Sequence, residues 1–444
     1  MLCGGNIPER FCLEERLRLY IFYQVISCTL FLLVFPFFLL FALLSGRHRD
    51  RLGQRLGTYP ELAQKTKGDI RIWLHASSVG EVQAARALIP EIRRLLPGAG
   101  FVLSTMTVHG RRVAEKFLGE DVSCVLAPLD VPFIVERGVA AIDPDLYVCI
   151  ETEIWPLILK KIRQRGRPLV LVNGRMSERS YGGYRRIRCF MAVILAQFAQ
   201  LAVISSADSE RYVALGVDRK KIQVLGNVKY DLALPPDQDA IQARYRSLLA
   251  IASGCEVLIA GSTHGKEEEE LLAYLEAGRD GGRQLLILAP RHLERLPQLR
   301  QMLEQEGHPF DLFSDLEKGQ ARQADLVLVD CMGELAMLYS VADYVFCGGS
   351  FVPRGGHNVM EIALWNRVVF YGPHMSDYRD ATRMLEEAGS GFMVRDGLAL
   401  QAKIEFFREH EQEYHLACIR AGEIARAQQG AARKQAVVVA SLLQ

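Results

Sequence analysis

At 444 residues the chain is longer than one hydrophobic core comfortably supports, so two domains and a separate N-terminal segment are expected. Its 53 Lys and Arg nearly cancel its 52 Asp and Glu, which excludes a nucleic-acid binder working by bulk charge. Ten scattered cysteines show no CxxC pair and no metal-ligand spacing, which excludes a disulfide scaffold and a zinc module and fits a reduced, cytoplasmic compartment.

In chain order, an N-terminal flank (1–18) precedes an apolar stretch (19–45) that carries no charge from Leu19 to Leu44. About 25 residues at ~1.5 Å each cross a ~30 Å hydrocarbon layer, and Pro36 does not prevent it. A cleaved signal peptide would have a shorter apolar region, ~7–15 residues, so an uncleaved single-pass anchor is expected. Arg10, Arg16 and Arg18 lie before it, and Arg47, His48, Arg49, Arg51 and Arg55 after it. That asymmetry puts the large remainder on the cytoplasmic side.

From 51 to 231 strands and helices alternate, as in a doubly wound sheet. Strands are expected at Ile70–His75, Gly100–Thr105, Leu146–Ile150, Pro168–Val172 and Leu201–Ile204, with helices over Glu81–Leu96 and Gly110–Phe117. Ligands of open α/β sheets bind beyond the carboxyl ends of the strands, which singles out the loop from His75 to Glu81. Glu81 either serves the helix dipole or acts as a general base for a hydroxyl nucleophile, with Ala76, Ser77, Ser78 and Gly80 leaving room beside it. Glu151-Thr-Glu153-Ile-Trp155-Pro156 follows another buried strand and is a second candidate loop. Asp143-Pro-Asp145 has the spacing of a metal-binding DxD but precedes its strand, so it reads as a turn. Between Asn173 and Arg188, arginines interleave with Tyr181 and Tyr184, which suits either an anionic lipid surface or a solvated helix face.

A linker is expected over 232–245, preceded by Gly226-Asn-Val-Lys229-Tyr-Asp231. Lys229 is either a plain linker lysine or a cation placed to stabilise a departing phosphate at the inter-domain cleft. A second α/β domain follows over 246–400 and helices over 401–444, the last of which can cross back to the first domain. Its strands at Val257–Ala260, Gln284–Ala289 and Asp325–Asp330 end in Gly261-Ser-Thr-His264, in Pro290-Arg291 and in Cys331-Met332-Gly333-Glu334. Arg291 there suits a phosphate or a base carbonyl.

These ends converge on one stretch, Cys347-Gly-Gly-Ser-Phe-Val-Pro-Arg354-Gly-Gly-His357-Asn358-Val359-Met360-Glu361, after the strand Tyr344–Cys347. Its two Gly pairs permit close approach and positive φ, Asn358 caps the following helix, and that helix start suits a phosphate. Glu361 is placed to accept hydrogen bonds from a ribose. The alternative is a turn that needs glycine only for tight geometry.

Together these motifs resemble the 3-deoxy-manno-octulosonic acid (Kdo) transferases of lipid A assembly. The resemblance rests on the apolar segment, Arg51-Leu-Gly-Gln-Arg-Leu-Gly57, His75–Glu81, Glu151–Pro156, Gly226–Asp231, Met332–Glu334, and Gly348–Glu361 with Gly372-Pro-His374. It implies a GT-B fold, two Rossmann-like domains facing a cleft, that uses CMP-Kdo with no metal, cofactor or nucleic acid. It implies inverting transfer of Kdo to a hydroxyl of a lipid A precursor (lipid IVA) at the inner membrane. Carried over by position, Glu81 is the general base and Glu151 with Lys229 the transition-state-stabilising pair. Pro290, Arg291, Met332, Gly333, Glu334, Asn358, Val359, Met360 and Glu361 are the CMP contacts. Arg354 and His357 either touch the sugar carboxylate or hold the loop. The chain departs from the family pattern at Leu157, Ile362 and Asp377-Tyr378 and in Thr263–Glu268. Two other functions fit the same motifs: a GT-B transferase of another nucleotide sugar to a lipid-linked acceptor, and an inactive relative that only binds.

Overall fold

Short runs rich in Val, Ile and Leu, separated by helices of 3.6-residue periodicity, build two parallel sheets in the computed structural model, which describes residues 13–45, 52–62, 64–66, 68–277 and 284–443. The chain divides into two compact units, one running to Asp231 and rejoined by the segment from Gly430, the other Leu232–Gln429.

The first unit holds β1 (Ile70–His75), β2 (Ala99–Thr105), β3 (Val122–Leu126), β4 (Leu146–Ile150), β5 (Leu169–Gly174), β6 (Gln200–Val203) and β7 (Ile222–Val224). Their order is β3-β2-β1-β4-β5-β6-β7, with parallel pairing throughout. Alternate residues feed two cores, as a sheet covered on both faces requires. Trp73, Tyr147, Cys149 and Leu171 enter one, and Ile72, Leu74, Val148 and Val170 the other. The second unit holds β8 (Glu256–Thr263), β9 (Gln284–Pro290), β10 (Asp311–Leu312), β11 (Leu326–Leu328), β12 (Tyr344–Cys347), β13 (Val369–Tyr371) and β14 (Gly391–Met393), in the order β10-β11-β9-β8-β12-β13-β14. Each unit is a Rossmann-like domain, and the pair makes the GT-B class.

The expected linker over 232–245 is largely structured. A helix spans Gln238–Leu248, with Tyr245 buried on its inner face. Helices Gly397–Glu409 and Glu411–Ala427 stay with the second unit, while the helix Ala431–Ala440 packs on the helix Val79–Leu95 of the first.

The apolar segment is one helix, Leu13–Ser45, of which Arg18–Leu40 is long and apolar enough to cross a membrane. Its first part is seated on the first unit instead of standing free. Tyr20 is 6% exposed and lies edge-on to Phe190, the Tyr23 hydroxyl donates to Asp130 at 2.9 Å, and Phe31 meets Phe133 with ring centroids 5.6 Å apart. Of the charges used to orient it, Arg10, Arg47, His48, Arg49 and Arg51 lie outside the described residues, as does the side chain of Arg16.

Candidate active site

β1 and β4 are neighbours where the first sheet reverses its order, the place where open α/β sheets bind ligands. Beyond β1 the chain turns into the helix Val79–Leu95, and Glu81 sits in its first turn. Its carboxylate accepts the Ser77 N–H at 2.5 Å and the Ser78 hydroxyl at 2.8 Å. Ser78 therefore serves Glu81 and does not cap the helix it precedes. Glu81 is only 7% exposed, and burial, followed by the charges of Glu151 and Glu153, pushes its pKa up to about 7. A carboxylate so placed exchanges a proton near neutral pH.

Beyond β4, Glu151 takes a left-handed backbone (φ 60°), a conformation costly for a residue with a side chain and held here by its N–H donating to Val172 O at 2.9 Å. Lys229 Nζ forms an ion pair with Glu151 Oε1. Lys229 also lies beside the start of the Glu81 helix, since a Cβ on Gly80 would sit 3.5 Å from Nζ. Glu81, Glu151 and Lys229, from three separate stretches, are thus brought together.

Sequence reasoning left out the residues that hold this group. Glu153, named only within its loop, is half-buried, and burial raises its pKa, opposed by the nearby Trp155 and Ser77. Asp130 is 7% exposed and accepts the N–H groups of Leu157 (3.1 Å) and Ile158 (3.0 Å) at the start of the helix Pro156–Gln164, directly after the Glu151 loop. It thereby caps that helix while also receiving Tyr23. Behind Lys229, Gln435 accepts the Asn173 N–H at 2.7 Å and donates to Gly226 O at 2.8 Å, and Asn173 Oδ1 accepts the Val228 N–H at 3.0 Å. Asp143 and Asp145, the DxD spacing, face Lys65, Arg165 and Arg167 and form a turn.

In the second unit, β8 and β12 are the neighbours at the reversal, and the Gly-rich stretch follows β12. The backbone amides around its first Gly pair already have partners within the fold. The fully buried Glu267 carboxylate accepts the N–H groups of His264 (2.8 Å), Gly349 (2.7 Å), Ser350 (2.9 Å) and Phe351 (2.8 Å). Those amides are satisfied from within the fold. Gly349, at φ +67°, makes room for the stacked rings of His264 and His357, whose centroids are 5.7 Å apart.

Arg291 is exposed after the buried Pro290, with its N–H donating to Thr263 O at 3.0 Å. Burial, then Arg291, His264 and His292, lower the His357 pKa to about 4, so this ring is neutral at physiological pH. Asn358 caps the short helix Val359–Leu364 through the Met360 N–H at 3.1 Å and donates to Glu361 Oε1 at 3.3 Å. Burial raises the Glu361 pKa against the opposing effects of Asn358 and Arg291. Val359 and Met360 are fully buried, and the Met360 N–H is already taken by Asn358. Met332 is exposed, Gly333 has φ +102°, and Glu334 accepts the Tyr245 hydroxyl, which ties this turn to the helix found in place of the linker. Arg354 is exposed. The departures Leu157 and Ile362 are buried apolar residues, substitutions made in the core.

The family model described as 3-deoxy-D-manno-octulosonic-acid transferase (kdotransferase) matches residues 50–232. A 3-deoxy-D-manno-octulosonic acid transferase of Haemophilus influenzae is 32% identical over 357 residues, 80% of this chain and 82% of the relative. One of Chlamydophila psittaci is 30% identical over 404 residues, 90% of this chain and 91% of the relative. Among solved structures, a UDP-GlcNAc 2-epimerase from Neisseria meningitidis bound to UDP-GlcNAc shares the fold, with TM-score 0.55 and 11% identity over 84% of this chain and 100% of that one. The chain belongs to the 3-deoxy-D-manno-octulosonic acid transferase family and is a glycosyltransferase.

Proposed function

We propose, from that family membership, that the protein moves Kdo from CMP-Kdo to a hydroxyl of a lipid A precursor, lipid IVA, with inversion and without a metal, in lipopolysaccharide biosynthesis. The reaction takes place at the inner membrane, with the helix Leu13–Ser45 as the attachment and both catalytic units on the cytoplasmic side.

The observation that carries the chemistry is the buried Glu81 carboxylate, its pKa raised to about 7, beside the Lys229–Glu151 ion pair. Glu81 takes the proton of the acceptor hydroxyl as that oxygen bonds to the anomeric carbon of Kdo. The bond from that carbon to the CMP phosphate oxygen breaks, and the phosphate leaves with the electron pair. Lys229 stabilises the charge that develops, and Glu151 holds the ammonium in place. Arg291, Glu361 and the Met332–Glu334 turn bind the CMP. Aliphatic hydroxyls are far too weakly acidic to ionise unaided at neutral pH, so a base close to pKa 7 is matched to the task.

Purified protein supplied with lipid IVA and either CMP-Kdo or a panel of UDP-sugars tests this reading by product mass spectrometry. A product heavier by one or more Kdo units is expected from CMP-Kdo. Turnover with a UDP-sugar and none with CMP-Kdo overturns the proposal.

A further inference from the structure

Two adjacent residues of the first unit hold both ends of the apolar segment. Asp130 receives the Tyr23 hydroxyl at 2.9 Å, and the Leu129 N–H donates to Arg55 O at 3.0 Å. Around the first contact, Tyr20 is packed in the core and stacked under Lys160 at 4.7 Å, and its hydroxyl receives Gln197. Around the second, the short helix Leu52–Arg55 is fixed by Gln54 accepting the Leu126 N–H at 2.7 Å and by Arg55 donating to Ala127 O at 3.2 Å. Tyr23 and Leu52 are therefore parts of the folded domain and stay on its side of any bilayer.

Covalent geometry limits what lies between them. The helix from Tyr23 to Ser45 rises about 33 Å, enough to cross if it stood free. From Ser45 the chain must regain Leu52, and seven peptide links reach at most about 25 Å. That is less than the ~30 Å of hydrocarbon between the two faces of a bilayer. The returning links carry Arg47, His48, Arg49, Asp50 and Arg51, which are costly inside hydrocarbon and restrict its depth further. The helix also runs along the domain well past Tyr23, since Phe31 meets the exposed Phe133. Beyond that its surface is apolar on several sides, with Leu32, Leu33, Val34, Phe37 and Leu40 exposed.

We infer that the helix Leu13–Ser45 enters the membrane from the side of the catalytic units and returns without crossing it, immersing its apolar surface in one leaflet. This replaces the expected single-pass anchor. It rests on the membrane attachment proposed above, and it makes the N-terminus and the two catalytic units share one compartment.

The test uses the full chain with a reporter at either end: alkaline phosphatase, active only after export, or green fluorescent protein, which fluoresces only inside. Membrane-bound protein with both ends fluorescent and neither phosphatase active is expected. An active N-terminal phosphatase with an inactive C-terminal one overturns the inference, as does full recovery in the soluble fraction. Because a large fusion can itself bias insertion, a second measurement uses a short N-terminal epitope in inside-out vesicles. Protease added outside removes the epitope together with the catalytic units if the helix does not cross, and spares the epitope if it does. Neither readout depends on turnover, so a failed donor assay and a failed topology are told apart.

Discussion

Glu81 and Glu267 occupy corresponding places, each shortly after the first strand of its sheet and beside the point where the strand order reverses, yet they have opposite surroundings. Glu267 is surrounded by four backbone N–H groups that fix the Gly-rich turn. Glu81 has one N–H and one hydroxyl, and two further carboxylates act against its charge. Burial alone therefore does not mark a carboxylate as a candidate for proton transfer. What distinguishes the two is whether the fold has already satisfied the negative charge.

Glu81→Gln should break this contrast most visibly, lowering kcat by about 10²–10⁴-fold with CMP affinity unchanged, as loss of a general base does. Steady-state kinetics with a CMP titration check it, and unchanged turnover removes Glu81 from the mechanism. Glu267→Gln should leave at least one of four amides without its acceptor and destabilise the second unit by about 2–3 kcal/mol, read as a lower urea midpoint. Wild-type stability would mean that the turn holds itself. Asp130→Asn acts through the Glu151 loop and should reduce kcat about tenfold, the scale of losing one charged hydrogen bond, with the CMP-Kdo KM within twofold. A rise in that KM with kcat intact would contradict a positioning role.

The pH dependence sharpens the same comparison. Only ionised Glu81 accepts a proton, so kcat/KM should rise about tenfold per pH unit below about 7 and level off above it. For stability the sign is reversed. With its folded pKa raised from 4.5 to about 7, the contribution of Glu81 is fully present below 4.5 and is lost as pH rises through 7. Glu81→Gln should therefore melt at higher temperature than the parent at pH 8 and near it at pH 4, as calorimetry can measure. A variant less stable at pH 8 would mean that the carboxylate is satisfied after all, like Glu267.

The strand ends, and Glu81 and Glu151 as candidates, were legible because the signal is local, an acid at or shortly beyond the end of a buried run; Lys229, a cation before a linker, was singled out on weaker grounds. The residues that hold them in place were not. Glu267 reaches Gly349 across 82 positions, and Gln435 reaches Asn173 across 262, distances over which no periodicity carries information. Asp130 carries no local signal, and its role is visible only once the helix it caps, 27 positions on, is placed beside it. The helix Gln238–Leu248 was hidden by the prolines and aspartates just before it, although Ile241, Tyr245 and Leu248 keep helical spacing. The seat of the apolar helix escaped for a related reason: Tyr20 and Tyr23 differ from the surrounding apolar residues only by hydroxyls, whose partners lie more than 100 residues away.

The helix Ala431–Ala440 belongs to the first domain but follows the whole of the second in the chain. On a ribosome that order has a temporal meaning. The first domain emerges early yet lacks Gln435, and with it the support under Asn173, Gly226 and the Lys229 turn, until about two hundred further residues, the whole second unit among them, have been made. A nascent chain thus presents its N-terminal apolar helix before the surroundings of Lys229 are complete. For the same reason residue 232 is no place to cut a fragment: ending the chain there removes a wall of the first domain along with the second.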